Sequence, residues 1–314
     1  MLKKRAPETW NHGTANHVSH VKGVLASAFI GVNTVWWSSC IYVVSAIRAL
    51  MPHDGTRVRL AATMSGLADG WVACNKWMIG ALRVTRLDID WTNARDLSQS
   101  GWQIIISNHQ SWSDILVLQT MFVGKVPPLK FFVKRVLIWV PGIGLAMRLL
   151  GFPYVRRFPR EQLEANPTLR EIDRAATLKA CELFKRFPTS VLNFVEGTRF
   201  TVEKHASQSS PYRRLLMPKT GGLGYVVTSL GVLVKSATDV TIHYPGGVPS
   251  FWDFLCGRCP VVRVEVRSIE IPSALRDAGS DALSPVGRDQ LHRWVDTMWQ
   301  EKDARLSTLN GQAG

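Results

Sequence analysis

The chain has 314 residues, 46% of them hydrophobic, with 38 Lys and Arg against 24 Asp and Glu for a net charge of +14. That length holds one large or two small domains with a substantial core, and the positive excess suits an anionic partner: nucleic acid, a phosphorylated substrate or an acidic membrane surface. Five cysteines, odd in number and mostly isolated, imply no disulfide framework and fit a reducing compartment. Cys256 and Cys259 have CxxC spacing, but no second ligand pair exists for zinc, so they read as two thiols in a turn.

Residues 1–20 form a polar tail in which His12, His17 and His20 lie among Asn, Ser and Thr without a carboxylate or Cys cluster to complete a metal site. From Val24 to Ile47 no charged residue occurs. As a helix that run would be roughly 36 Å long, enough for the hydrocarbon core of a bilayer. It exceeds a signal-peptide core and lacks a small-residue cleavage site, which favours an uncleaved anchor. A second apolar stretch, Leu60 to Leu82, is broken only by Asp69 and Lys76. Basic residues flank the first run on both sides, so a re-entrant membrane helix pair over residues 21–83, with both ends on the cytoplasmic side, is the expectation.

From residue 84 to 314 short apolar runs alternate with longer helical segments. Strands are predicted at Leu87 to Trp91, Gln103 to Ser107, Leu129 to Val133, Phe152 to Val155, Val191 to Val195, Val240 to Tyr244 and Val261 to Ser268. Helices are predicted at Ile115 to Phe122, Gly144 to Leu150, Leu169 to Phe187 and Gln290 to Asp303. The pattern predicts one α/β domain with a mixed, largely buried sheet flanked by helices.

The stretch Asn108-His109-Gln110-Ser111-Trp112-Ser113-Asp114 joins a predicted strand to a predicted helix. Residues five apart on one helix lie about 140° apart and cannot share a proton. His109 must therefore precede the helix, with Ser111 or Ser113 as N-cap and Asp114 in the first turn. The ionised carboxylate then accepts from one imidazole nitrogen and leaves the other as a base. That is two thirds of a nucleophile-activating triad.

Four further segments carry polar groups that packing does not explain. Lys130 to Arg135 mixes cations and aromatics and could line a basic cleft or be a solvated edge. Gly151 to Arg157 ends a predicted strand in two arginines, suited to phosphate or to a surface ion pair. Asn193 to Arg199 runs from a strand into a Gly-containing polar turn, where Glu196 and Arg199 could converge on His109. Leu215 to Gly222 is a Pro and Gly turn with one lysine, whose amides could face an oxyanion or a phosphate.

Together these segments resemble the glycerophospholipid acyltransferases of the 1-acylglycerol-3-phosphate O-acyltransferase (lysophosphatidic acid acyltransferase, PlsC-like) family. Asn108, His109, Ser111 and Asp114 match its Asn-His-x-Ser-x-x-Asp motif, Glu196 to Arg199 match its Glu-Gly-Thr-Arg motif, and Gly151, Tyr154 and Arg157 resemble its arginine-bearing motif. Asn193 to Gly197, Arg199 to Thr201 and Trp299 to Asp303 look like the bacterial inner-membrane branch of YihG-type probable acyltransferases. The chain departs from the pattern at Val195, where many members have Pro. Leu216 to Lys219 with Thr238 to Thr241 looks instead like the lysophosphatidic acid and lysocardiolipin acyltransferases of higher organisms.

The resemblance implies that His109 and Asp114 are catalytic and that the acceptor lipid supplies the missing hydroxyl nucleophile. It implies that Arg199, Arg157 and Lys219 hold a phosphate, with Gly197 and Thr198 in the same binding turn, and that Glu196 hydrogen-bonds the acceptor. Backbone amides near Ser111 or Gly197 are candidate oxyanion donors. No cofactor or metal is expected, acyl-CoA or acyl carrier protein being the co-substrate. The implied partners are a lysophospholipid, most readily 1-acylglycerol-3-phosphate, and the phospholipid membrane. The implied place is a bacterial inner membrane, with the catalytic domain on its cytoplasmic face. Lysophosphatidylglycerol or lysocardiolipin are alternative acceptors. A His109/Asp114-dependent lipid hydrolase is a further alternative, although no Gly-x-Ser-x-Gly elbow is present. A nucleic-acid binder fits the charge but leaves the apolar run and the His/Asp turn unexplained.

Overall fold

The computed structural model describes residues 17–155, 181–278 and 283–311, together with 168, 175 and 177–179. Its centre is a mixed sheet of six strands in the order β1-β8-β7-β2-β6-β3, formed by Arg86–Asn93 (β1), Gln103–Ser107 (β2), Leu129–Lys130 (β3), Ser190–Phe194 (β6), Ser236–His243 (β7) and Val261–Glu270 (β8). All neighbours run parallel except β7 with β8. A separate two-stranded parallel sheet pairs Val133–Lys134 (β4) with Tyr154–Val155 (β5).

The apolar run in β2 is explained by its central place. Ile104, Ile105 and Ile106 are fully buried, and because strand side chains alternate they serve two cores. Ile105 packs with Leu118, Phe122, Leu192 and Phe254 on one face. Ile104 and Ile106 pack with Phe184, Val227, Leu230 and Trp299 on the other.

The predicted Leu129 to Val133 strand is divided between the two sheets. Lys130 still pairs with Val191 in β6, whereas Val133 takes Tyr154 as its partner. A change of partner within three residues leaves no mark on the hydrophobic pattern. Part of the predicted Leu169 to Phe187 helix lies outside the described residues; 175, 177–179 and 181–182 are helical, and Leu183–Arg186 is a 3-10 turn. The C-terminal helix is longer than predicted, Pro285–Gly311. It lays Trp299 and Lys302 against the sheet, where the buried Lys302 ammonium lies 2.6 Å from Asp239 of β7. Asp239 also binds Arg267 of β8 at 2.8 Å, so these buried charges are paired rather than isolated.

The N-terminal part is an antiparallel pair of helices, His17–Leu50 (α1) and Asp54–Ala81 (α2). Asn33 bonds Asn75 across it at 2.8 Å, and the Trp37 ring fills the space beside Gly70. Of the two, α1 is long and apolar enough to cross a bilayer by length and composition. The expectation of a membrane helix pair is thereby narrowed, because α2 carries Asp54, Arg57, Arg59, Asp69 and Lys76 along its length. Nor does α1 stand apart from the α/β domain. His20 meets Trp252 and Arg258, and one helix-length further on the Tyr42 hydroxyl donates to the Gly142 carbonyl at 2.8 Å.

Candidate active site

Two adjacent parallel strands, β2 and β6, end side by side with Ser107 opposite Phe194. The turns that leave them are neighbours for that reason. Asn108 fixes the first turn by doing what a ladder residue would do: its side-chain amide donates to the Ile242 carbonyl at 2.9 Å and accepts from the Ile242 N–H at 2.8 Å.

His109 lies before the helix, as the spacing requires, and Asp114 lies in the first turn of Ser113–Phe122 (α3). The Nδ1 of His109 is 2.8 Å from Oδ2 of Asp114. That oxygen also accepts the amides of Gln110 at 2.6 Å and Ser111 at 2.9 Å, while Oδ1 accepts the Tyr244 hydroxyl at 2.5 Å. Asp114 is completely buried, so four donors replace its water. Burial and the Asp114 charge push the Tyr244 phenol well above its ordinary range, so it acts as a donor. With the proton of Nδ1 committed to Asp114, the lone pair sits on Nε2. Phe194 stacks on the imidazole with centroids 4.0 Å apart.

The helix cap differs from expectation. The N-cap position is Trp112, without a side-chain cap, although Ser111 Oγ accepts the Ser113 amide at 3.2 Å. The carboxylate of Asp114, reaching back to two amides, takes over much of the capping role.

Glu196 is near His109 but in a different role from the one expected. It is fully buried, and its two oxygens accept the His109 N–H at 2.8 Å and the Leu216 N–H at 3.0 Å. It therefore fastens the His109 turn to the 215–219 segment, with both oxygens turned into the protein rather than toward an open cleft. Burial pushes this carboxyl up to about 8 against the opposing pull of those two amides. Trp299 of the C-terminal helix completes the fastening by donating to the Leu216 carbonyl at 3.1 Å. The suggested oxyanion amides are also committed: Ser111 N–H donates to Asp114, and Gly197 N–H donates to the Phe194 carbonyl at 2.9 Å.

Gly197 turns the chain at φ +68°, a left-handed conformation that glycine adopts without penalty. The Thr198 hydroxyl accepts Lys204 Nζ at 2.8 Å, and Lys204 also holds the Arg199 carbonyl at 3.0 Å. The Arg199 guanidinium lies over the Trp112 ring, 4.5 Å from its centroid, and among the described residues it has no carboxylate partner. Lys219 is exposed, with its N–H donating to the Val195 carbonyl at 2.6 Å beside Glu196. Arg157 lies outside the described residues.

Trp112 also lines a largely apolar cavity of about 600 Å³. Its other walls include Ile30 of α1, Trp71 of α2, Leu116 of α3, Phe131 and Phe152. Lys130 belongs to this wall and not to a solvated edge, and burial pushes its ammonium down to about 8. Among the described residues no group of three or more His, Cys, Asp or Glu is placed to hold a metal.

Comparisons with known proteins give the chain's relatives. Lysocardiolipin acyltransferase 1 of Danio rerio is 27% identical over 221 residues, covering 65% of this chain and 51% of its own length. A 2-acyl-1-lysophosphatidylinositol acyltransferase of Saccharomyces cerevisiae is 23% identical over 250 residues, covering 65% and 60%. The chain thus spans between half and two thirds of the length of these curated relatives. The crystal structure of the 1-acyl-sn-glycerophosphate acyltransferase PlsC from Thermotoga maritima superposes with a TM-score of 0.53 at 16% identity, covering 91% of this chain and 98% of that one, and so shares the fold. The profile of a family described as Acyltransferase matches residues 88–244, the span from β1 to the Tyr244 that holds Asp114. On that match, the chain belongs to the Acyltransferase family.

Proposed function

We propose that the protein transfers a fatty acyl group from a thioester, acyl-CoA or acyl carrier protein, to the free hydroxyl of a lysophospholipid. The lead acceptor is 1-acylglycerol-3-phosphate, giving phosphatidic acid. The observation that carries this reading is that Trp112, inside the turn that holds the His109–Asp114 pair, both lines the apolar cavity of about 600 Å³ and carries the Arg199 guanidinium on its ring. An acyl chain belongs in the cavity and a phosphate beside the guanidinium.

The chemistry follows from the tautomer. Nε2 of His109 removes the proton of the acceptor hydroxyl as its oxygen attacks the thioester carbonyl. The tetrahedral intermediate then expels the thiolate, which receives that proton from the imidazolium held by Asp114 and leaves as the free thiol. No acyl-enzyme forms, because the lipid hydroxyl is the nucleophile. Acceptors with phosphodiester headgroups, as the names of the relatives indicate for those proteins, present one anionic charge per phosphate rather than up to two and are the second choice.

The apolar α1 supports membrane association, and by resemblance the catalytic domain sits on the cytoplasmic face of a bacterial inner membrane. The test is to offer the purified protein a panel of lysophospholipids with both donor types and to identify the lipid products. Phosphatidic acid from 1-acylglycerol-3-phosphate is expected. Free fatty acid as the sole product would instead assign hydrolysis.

A further inference from the structure

Residues 136–145 project from the catalytic domain with an apolar outer surface. Trp139 is 84% exposed, and Val136 at 67% and Leu145 at 48% accompany it. Such a cluster is unusual on a water-facing surface. It is also not a loose loop that could fold inward. The Gly142 carbonyl is held by Tyr42 and the Gly144 carbonyl by Tyr154 at 2.7 Å. A Cβ at Gly144 would lie 2.2 Å from the Ile138 carbonyl oxygen, so the helix Ile143–Leu149 (α4) is pressed onto the 3-10 turn Arg135–Trp139. Val133 and Ala146 anchor the projection in buried positions at either end.

Charge and continuity identify what covers this surface. Residues 125–155 contain Lys125, Lys130, Lys134, Arg135 and Arg148 and no Asp or Glu. Lys134, Arg135 and Arg148 are exposed around the apolar cluster, the arrangement expected of a segment that meets anionic headgroups while its aromatic ring enters the interface. The projection is also fixed to α1, since Ile41 and Ala146 share an apolar cluster and Tyr42 binds Gly142. The outward side of α1 exposes Val32, Val35, Trp36 and Val43. The projection is thus held at the Val43 end of this exposed side, through the adjoining Ile41 and Tyr42.

We propose that residues 136–145 are a second bilayer-contacting element, inserting Trp139 and its apolar neighbours into the interface of an anionic membrane. Leu137, Val140 and Ile143 of the same segment line the cavity, so one short wall separates the cavity from the lipid. An acyl chain then moves between bilayer and cavity past this wall without crossing water. The proposal rests on the membrane reading of α1 and is independent of the acyl-transfer chemistry.

The test uses the full chain bound to vesicles of phosphatidylethanolamine and phosphatidylglycerol, with photoreactive benzoylphenylalanine in place of Trp139, Trp36 or the exposed Arg293. Lipid adducts are expected at positions 139 and 36 and not at 293. The yield at 139 should fall severalfold in phosphatidylcholine vesicles or when Lys134→Gln and Arg135→Gln are added. Adducts at 36 without adducts at 139 overturn the proposal, as does cross-linking of 139 to protein. Adducts at neither position overturn the membrane reading of α1 as well. An unchanged yield in phosphatidylcholine removes the role of the basic residues.

Discussion

The turns after β2 and β6 leave neighbouring strand ends, yet they are built on opposite principles. In the His109 turn the charged groups are tied down: Asp114 takes four donors, the imidazole is stacked on Phe194, and the backbone amide of His109 is held by Glu196. In the Arg199 turn the guanidinium lies on an aromatic face and, among the described residues, has no carboxylate partner on its N–H edges. The contrast separates two tasks. A general base must be aimed to within a fraction of an ångström, whereas a phosphate-binding arginine gains from keeping its donors open until the ligand arrives.

The comparison predicts a split between kcat and KM. Asp114→Asn should lower kcat by about 10²- to 10⁴-fold with little change in KM, because an amide cannot accept from all the donors around it and misdirects the imidazole proton. Steady-state kinetics on protein of unchanged circular dichroism measure this, and an effect confined to KM would erase the distinction between the turns. Arg199→Ala should raise KM for a phosphate-bearing acceptor by about 10- to 100-fold, the loss of a charge-assisted hydrogen bond, with kcat nearly unchanged. A fall in kcat alone would move Arg199 into the chemical step. Trp112→Leu keeps an apolar cavity wall but removes the face beneath Arg199, so KM should rise about 3- to 10-fold. If a Trp112→Leu, Arg199→Ala double variant is weaker than Arg199→Ala by that same factor, the two residues act independently and the steering role of Trp112 fails.

The smallest effect concerns the fastener between the turns. The pKa of Glu196 is about 8 in the folded chain against an ordinary value of 4.5, so the folded state binds the extra proton between those limits. Its contribution to stability is fully present below about 4.5 and is lost as the pH rises through about 8. Glu196→Gln cannot titrate, and melting temperatures measured across that window should show a shallower decline for the variant than for the parent. Parallel curves would mean that Glu196 is already ionised throughout.

What the sequence made legible was local. The His109–Asp114 contact spans five residues and follows from helix geometry, and β2 follows from its unbroken isoleucines. The rest depends on distance along the chain. Tyr244 reaches Asp114 across 130 residues, and its tyrosine type and strand-end position carry no signal of that contact. Trp112 was in plain view inside the motif, but its role depends on where Arg199 comes to rest. The sequence suggests an acceptor contact for Glu196 and the structure buries it, because burial is a tertiary property: a polar residue in a Gly-containing turn has the composition of a binding residue whether it faces the cleft or the core. The cavity is likewise assembled from both N-terminal helices, α3 and residues 126–152, which no single stretch encodes.

The central claim is that Nε2 of His109 is the base that activates the lipid hydroxyl. It is tested most directly by His109→Ala, checked for parental circular dichroism and membrane binding and then assayed with 1-acylglycerol-3-phosphate and an acyl thioester. The account predicts a loss of acyl transfer of at least about 10²-fold in a protein that still folds and binds membrane. Transfer at the parental rate by that folded variant would contradict it.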